Sequence, residues 1–248
     1  MRTFLILLLM TIGLHSFGQY PFERYPAIKY KEYANWKKID KSGRRGFTMT
    51  IPKFFNKKYS LTIQITSGGW DSSYISLFRN GKQIQHVFEP MEINKYVDFP
   101  PVRVADINGD NMPDCKLQIS YMGNGIAALN TRIIYLFQHS NHTFTKISYL
   151  DMIDGPYESD ARPERDFNGD GNYEIITRSL TEYNEHSYWV YNLYNFKHNT
   201  LVSVNNKYNY PIMIQFLNRE NFEVTRKISR QRMKDFAEKR PEEFSQAF

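Results

Sequence analysis

The chain has 248 residues, of which 41% are hydrophobic and 16% aromatic, and its formal net charge is +6. This length supports one sizeable hydrophobic core or two small ones, and the aromatic-rich composition favours β-strands. Cys115 is the only cysteine, so an internal disulfide is excluded, and we expect it to be a small buried residue on a strand.

The first residues predict a targeting segment. Arg2 precedes an apolar run over residues 4–14, which is shorter than the roughly 20 residues that a membrane span needs. Small residues, Ser16 and Gly18, stand at the −3 and −1 positions of the expected cleavage site. The sequence therefore predicts a signal peptide over residues 1–18, a secreted or periplasmic protein, and no transmembrane span in the mature chain. A buried first strand or helix is the alternative.

Charge divides the chain into three blocks. Residues 20–60 carry 11 basic and 3 acidic side chains, residues 61–185 carry 10 basic and 17 acidic ones, and residues 186–248 carry 10 basic and 6 acidic ones. The basic ends suit an acidic polymer or a membrane surface as partner, and ordinary solvated Lys and Arg are the alternative. An exported protein with an acidic middle is a poor candidate for binding nucleic acid.

Three similar stretches predict β-hairpins at residues 74–88, 133–147 and 190–204. Each is an apolar and aromatic run, a short polar turn and a second alternating run. Asn80 and Gly81 form the strongest of the three turn signals, because both residue types readily take a positive φ. The repetition predicts an all-β fold of antiparallel hairpins or blade-like repeats, arranged as in a propeller or a sandwich.

The expected domains are a basic N-terminal segment over residues 19–60, a β-repeat domain over 61–218 and a helical segment over 219–248. A strand is expected at residues 46–52 of the first segment. In the last segment, a loose apolar stripe among basic residues predicts a helix that Pro241 ends and that covers a sheet edge.

Two acidic nonapeptides precede the second and third hairpins: DINGDNMPD at residues 106–114 and DFNGDGNYE at residues 166–174. Their side chains at positions 1, 3, 5 and 9 offer oxygen donors, and position 7 adds a backbone carbonyl. An oxygen cage with three carboxylates suits a hard cation of the size of calcium, whereas zinc prefers His or Cys. The candidate calcium ligands are Asp106, Asn108, Asp110, Met112, Asp114, Asp166, Asn168, Asp170, Asn172 and Glu174.

Glycine supports a tight coil in both loops. Gly109 and Gly169 stand at position 4 and Gly171 at position 6, where Asn111 of the first loop is the next best residue for a left-handed backbone. For either loop alone, an ordinary turn is the alternative. Turn formation does not need three carboxylates, which repel by about 1 kcal/mol per pair at about 4 Å in water, so two copies favour a metal.

The nonapeptides resemble the calcium loops of FG-GAP or VCBS repeats in secreted and surface β-propeller proteins. In an EF-hand the last ligand stands at position 12 and helices flank the loop, whereas here the acid is at position 9 and a strand follows at once. By this resemblance, positions 1, 3, 5 and 9 of both loops are calcium ligands.

A narrower likeness lies in GKQIQHVFEP, DINGDNMPDCKLQI and IIYLFQHSNHTF. These stretches are similar to bacterial envelope calcium-binding proteins, some of them similar to lysozyme inhibitors that act as immunity proteins against secreted peptidoglycan hydrolases. No inhibitory loop maps residue by residue. Residues 67–70, SGGW, are a candidate, with an ordinary strand connection as the alternative.

The chain has no Gly-x-Ser-x-Gly, His-Glu-x-x-His or glycine-rich phosphate motif. A glycosidase needs two carboxylates across a cleft. The acids before the second loop are instead expected to be solvated or to neighbour the metal; they are Asp151, Asp154, Glu158, Asp160 and Glu164. The sequence predicts an exported calcium-binding β-repeat protein that binds a protein or glycan and is not an enzyme. The alternatives are an inhibitor or immunity protein against a lysozyme-like hydrolase, and a carbohydrate-active enzyme.

Overall fold

The computed structural model describes residues 20–41, 44–69, 72–90, 100–120, 130–152, 162–219, 223–224, 227–241 and 245–246. Strands make up 56% and helices 6% of the structure, and the sheets are antiparallel, so the predicted all-β fold is confirmed. The expected signal peptide lies outside the described residues. Within the described ranges, no helix is long and apolar enough to cross a membrane.

The described strands form three sheets, with strands numbered in chain order. The first sheet has the order β2 (Lys37–Lys41), β3 (Arg44–Phe55), β4 (Tyr59–Gly69), β5 (Ser72–Arg79) and β6 (Lys82–Glu89). The second has the order β1 (Lys31–Tyr33), β7 (Val102–Ala105), β8 (Asp114–Ser120), β9 (Asn130–Gln138), β10 (Phe144–Met152) and β15 (Ser245–Gln246). The third pairs β11 (Ile175–Tyr183) with β12 (His186–Lys197), whose other edge carries β13 (Thr200–Ser203) and β14 (Ile212–Gln215).

All three predicted hairpins are confirmed, as β5–β6, β9–β10 and β12–β13. Asn80 and Gly81 have φ values of 46° and 81°, which is the left-handed turn expected of this pair. The strand expected at residues 46–52 is part of β3, which pairs with β4. The expected domain boundary at residue 60 therefore falls inside the first sheet.

The second sheet lies between the other two. Side chains of a strand alternate between its faces, and on β9 Ile134 and Leu136 pack in the core shared with the first sheet. Tyr135 and Phe137 point the other way, into the core shared with the third sheet. The Phe137 ring stacks on Phe196 of β12 with centroids 3.7 Å apart. An uninterrupted apolar run on β9 is what burial on both faces requires.

Cys115 lies on β8 and is fully buried in the core between the first and second sheets, as expected. Burial raises the pKa of its thiol well above the usual value, with a further contribution from the neighbouring Asp114 carboxylate. The residue therefore serves as a small apolar side chain in this core.

Two segments, one near each end of the described chain, cover the third sheet. Near the N-terminus, Phe22 packs on Tyr191 of β12 with ring centroids 5.4 Å apart. A short helix α1 (Asn205–Tyr208) connects β13 to β14, and α2 (Arg230–Met233) runs on into a 3-10 helix (Lys234–Phe236). Met233 is buried against Tyr188 and Val190 of β12.

The C-terminal helix is shorter than predicted, and it packs on a sheet face rather than an edge. Ser229 has an extended backbone, and its side-chain oxygen accepts a hydrogen bond from the backbone N–H of Arg232, so the helix begins only at Arg230. Ala237 is again extended, so the helical turns end before Pro241. Val224 of the expected apolar stripe is 74% exposed.

The stacking of the sheets predicts unequal costs for two phenylalanines. Substituting Phe137→Ala removes a buried ring between two sheets and should lower the free energy of unfolding by about 3–5 kcal/mol. Phe88→Ala, on a ring that is 49% exposed, should change it by less than about 0.5 kcal/mol. Urea unfolding followed by circular dichroism measures both, and similar losses would contradict the stacked arrangement.

Candidate metal centre

Both acidic loops occupy the same place relative to their sheets. The first loop joins β7 to β8, and β1 pairs with β7 just ahead of it. The second loop begins after Arg165, which makes isolated bridges to Ala27 on one side and to Glu174 on the other. The segment near the N-terminus therefore lies beside the entry to each loop.

The residue at position 1 holds each loop in its coil. The Asp106 carboxylate accepts hydrogen bonds from the backbone N–H groups of Gly109 at 2.8 Å and Asn111 at 2.7 Å. Gly109 and Asn111 have φ values of 77° and 65°, so Asn111 takes the left-handed backbone expected of it. The same bonds recur in the second loop, where they join Asp166 to Gly169 and Gly171.

Positions 3 and 5 form a second repeated pair. The Asn108 side-chain amide donates to the Asp110 carboxylate at 3.0 Å, and Asp110 accepts from the backbone N–H of Met112 at 2.8 Å. In the second loop the corresponding distances are 2.8 and 2.9 Å, among Asn168, Asp170 and Asn172. Each loop is thus a series of turns closed by its own side chains.

The acid at position 9 is buried beneath its loop. The two carboxylate oxygens of Asp114 accept from the backbone N–H groups of Ile107 and Gln138, both at 2.9 Å. Glu174 is also buried, and its partners are the N–H of Phe167 at 2.9 Å and the hydroxyl of Tyr208 at 2.8 Å. These bonds place each carboxylate between its loop and the body of its sheet.

Burial disfavours the charge on both position-9 acids. Burial raises the pKa of Asp114 to about 7, and the charges of the Asp110 and Asp106 carboxylates also raise it. The hydrogen bonds from the backbone N–H groups of Ile107 and Gln138 lower this pKa, but by less. Burial also raises the pKa of Glu174, with a contribution from Asp170. Each loop therefore holds carboxylates that act on one another, and a nearby cation would stabilise their charged forms.

The second loop has basic neighbours of its own. Burial opposes ionisation of Asp170, but hydrogen bonds from Asn172 and Asn168 and the nearby positive charges of Lys207 and Lys197 lower its pKa. Part of the negative charge of this loop is therefore balanced by the protein.

The two loops touch each other, which the sequence does not indicate. The backbone N–H of Tyr173 donates to the carbonyl of Ile107 at 2.9 Å. Gly109 packs against Gly171 so closely that a Cβ added at Gly109 would lie 3.0 Å from the Gly171 carbonyl oxygen. Loops 60 residues apart in sequence therefore form one unit at the same end of two neighbouring sheets.

A buried ion pair holds the segment just ahead of the second loop to the second sheet. Glu164 is 2% exposed, and it accepts from the ammonium of Lys116 on β8 at 2.5 Å and from the hydroxyls of Tyr30 and Tyr135. Although burial raises the pKa of Glu164, the adjacent Lys116 charge and these hydrogen bonds lower it overall.

Of the two expectations for the acids of this region, solvation is therefore wrong for Glu164, and its place beside a metal stays a prediction. Solvation is wrong also for Asp151, which is 4% exposed and pairs with Arg162 at 3.1 Å. Both lie where β-sheets meet, and burial requires each to have a cationic partner. Asp154, Glu158 and Asp160 lie outside the described residues.

All ten candidate ligands lie in the described chain, in two adjoining coils. In the described residues, no group of three or more His, Cys, Asp or Glu side chains is placed to hold a metal ion, and the Asp106 oxygens are bonded to backbone N–H groups. The chemistry of the donor set fits a hard cation, because its side chains offer oxygen and Asp110 and Asp170 are exposed.

The remaining candidate from the sequence, residues 67–70, is only partly described. Ser67 to Gly69 end β4, where the register against β5 is irregular. Trp70 lies outside the described residues.

Comparisons with family models, with curated proteins and with solved structures found no match. The fold and the loops together define an all-β protein of three stacked antiparallel sheets with two adjoining acidic loops at one end. The resemblance to FG-GAP or VCBS repeats rests on the two nonapeptides and stays a prediction.

The contact between the loops can be tested with two glycine substitutions. Both Gly109→Ala and Gly169→Ala place a Cβ on a left-handed residue, with φ values of 77° and 78°, which costs about 1–2 kcal/mol. Only Gly109→Ala also forces a Cβ against the other loop, since nothing lies within 4 Å of a Cβ at Gly169. We expect it to destabilise the protein by a further 1–3 kcal/mol, roughly.

Urea unfolding in the presence of a chelator measures the two variants side by side, so bound metal does not contribute. Gly169→Ala is the matched control for backbone strain. Equal free energies of unfolding for the two variants would show that the loops do not press on each other.

Proposed function

We propose that this chain is an exported calcium-binding β-repeat protein that acts as a binding module and has no catalytic activity of its own. Calcium has a structural role. Export is supported by the pattern of the first 18 residues, and the binding role by the exposed surface of the first sheet.

The observation that carries the calcium proposal is the match between the two loops. In both loops, the side-chain oxygens at positions 1, 3, 5 and 9 accept hydrogen bonds from backbone N–H groups at matching positions. An ordinary turn needs neither the acid at position 5 nor the buried acid at position 9. The recurrence of both therefore favours a cation as the common requirement.

A bound calcium ion would supply positive charge where each loop holds its carboxylates. In the first loop it would be held by Asp106, Asn108, Asp110, Asp114 and the Met112 carbonyl. The second-loop ligands would be Asp166, Asn168, Asp170, Glu174 and the Asn172 carbonyl. Because the loops adjoin, the two ions would hold together the ends of the second and third sheets.

The binding role is supported by an exposed aromatic group on the first sheet. Tyr74 and Phe88 are 37% and 49% exposed, and their rings meet edge to face with centroids 5.7 Å apart. His86 stacks on Tyr74 at 5.0 Å. Exposed aromatic side chains that are held in position are typical of binding surfaces.

Calcium should raise the melting temperature. At a free concentration ten times the dissociation constant, each occupied site adds about 1.4 kcal/mol, which is roughly 3–6 °C for a domain of this size. Asp110→Asn and Asp170→Asn keep the shape of the side chain and remove its charge, so each should abolish about half of the shift.

Differential scanning calorimetry with calcium, with magnesium and with chelator measures this effect. Magnesium is the control for charge alone, because it demands a stricter octahedral geometry. A melting temperature that is the same with calcium and with chelator would refute the calcium proposal.

The binding role is tested separately, by affinity capture from envelope extracts with a Tyr74→Ser, Phe88→Ser double variant as control for the exposed aromatic group. We expect a specific partner and no release of reducing sugar from glycans by the purified protein. Such release would instead show a carbohydrate-active enzyme, and dose-dependent inhibition of lysozyme would identify the hydrolase inhibitor as the correct function.

A further inference from the structure

The strand ends of the first sheet carry a concentration of positive charge. At the end where β3 turns into β4 and β5 turns into β6, the side chains of Lys57, Lys58 and Lys82 are exposed and that of Arg79 is half-buried. Lys53 is exposed near the end of β3. These five residues, the cationic tip, lie across four adjacent strands, a width of about 15 Å.

No acid of the described part of β3 to β6 balances this charge. In residues 44–69 and 72–90 the one acidic residue is Glu89. It lies at the far end of β6, where it is fully buried and paired with Arg132 and Lys146, both at 2.8 Å. The cationic tip therefore presents five positive charges to solvent without a carboxylate from its own strands.

The tip is held in a fixed shape. Asn80 in the β5–β6 turn accepts hydrogen bonds from the backbone N–H and the hydroxyl of Ser60, at 3.0 and 3.2 Å, which ties the two turns together. The Tyr59 ring lies under two cations, the Arg79 guanidinium at 4.5 Å and the Lys58 ammonium at 5.1 Å. The charges are therefore positioned before a ligand arrives, which reduces the entropy lost on binding.

Two of the lysines occupy backbone positions that suit glycine better. Lys53 and Lys57 have φ values of 53° and 56°, in the left-handed region where a Cβ is disfavoured. The turn at Asn56 and Lys57 is of the type in which Asn-Gly is preferred. Stability alone favours glycine at these two positions, whereas a binding surface favours lysine.

The shape and surroundings of the tip select among anionic partners. Phe55 packs on His142 in the β9–β10 turn at 5.3 Å, and Gln138 beside that turn bonds to Asp114 of the first acidic loop. The acidic loops thus lie at the same end of the stacked sheets as the tip. A flat anionic membrane approaching this end would meet the exposed Asp110 and Asp170 as well as the lysines.

A nucleic acid is also a poor fit. Single strands are held by bases that stack on open aromatic faces, and the Tyr59 ring at the tip is already in contact with Arg79 and Lys58. A narrow row of cations remains, which suits a flexible linear polymer with regularly spaced negative charges.

We propose that the cationic tip binds an acidic polysaccharide. This inference goes beyond the proposed function, because the tip lies at the other end of β5 and β6 from Tyr74 and Phe88, and it rests on that proposal only for export to a compartment where such polymers occur. It does not depend on calcium in the loops. The polymer would lie across the strand ends with its anionic groups against the five cations.

Binding to dextran sulfate tests the proposal, with uncharged dextran of the same length as the matched ligand. Lys57→Gln with Lys58→Gln should weaken binding about 25-fold, since each cation near an anionic surface contributes about fivefold. Lys227→Gln with Lys234→Gln removes the same charge from exposed positions elsewhere and should change binding by less than twofold, roughly. Isothermal titration calorimetry at two salt concentrations measures the affinities.

A second variant separates binding from folding. Lys53→Gly with Lys57→Gly relieves two disfavoured backbone positions, so the melting temperature should stay the same or rise while the affinity for dextran sulfate falls at least tenfold, roughly. If this variant unfolds as well as losing affinity, the idea that Lys53 and Lys57 serve binding and not stability is contradicted.

Three results would overturn the proposal: equal binding of dextran and dextran sulfate, equal losses in the tip and control variants, or tip-dependent binding that is tighter to duplex DNA or anionic phospholipid vesicles. Each titration is run with calcium and with chelator. A calcium-dependent melting temperature without polymer binding would refute this inference alone, and polymer binding without a calcium effect would refute the calcium proposal alone.

Discussion

The burial of β9 on both faces is the constraint on which the rest of this structure depends. The uninterrupted apolar run at residues 133–137 of β9 must be covered from two sides, so the second sheet needs the first sheet on one face and the third on the other. The other face of the third sheet is covered by residues near the start of the described chain, such as Phe22. Met233 packs on the opposite face, against Tyr188 and Val190 of β12.

Stacked sheets also place the two acidic loops side by side. Each loop connects or precedes strands at the same end of its sheet, and stacked sheets lie only about 10 Å apart. The close approach of Gly109 to Gly171 and the hydrogen bond from Tyr173 to Ile107 follow from this geometry. The region thus combines negative charge, buried carboxyls and tight backbone packing, and Lys116 paired with Glu164 lies directly beneath it.

Charge is distributed differently at the interior and at the surface. The buried acids Glu164, Glu89 and Asp151 each have a cationic partner, whereas Asp114 and Glu174 accept hydrogen bonds from neutral N–H and O–H groups. At the surface, the lysines of the cationic tip and the exposed carboxylates of the loops stand at one end of the sheets, in separate groups. Three lysines of the basic N-terminal block, together with Arg79 and Lys82, thus lie at the same end as the acids of the two loops.

Much of the fold could be predicted from local patterns. Alternating apolar residues and turn pairs such as Asn80–Gly81 specify hairpins, because the side-chain period and the sign of φ are local properties. The coil of each acidic loop was predictable for the same reason, including the left-handed Asn111. The length of the C-terminal helix was not, since an apolar stripe does not reveal that Ser229 caps a helix beginning only at Arg230.

The sequence by itself determined the strands, the turns and the composition of the two oxygen-rich loops, since each depends on residues close together in the chain. Only the tertiary structure decided that the loops touch, that Glu164 is buried on Lys116 rather than solvated, and that residues of the N-terminal block pair beside both loops. Those contacts join residues about 50 to 140 positions apart, whose proximity is set by how the sheets pack and leaves no local pattern in the sequence.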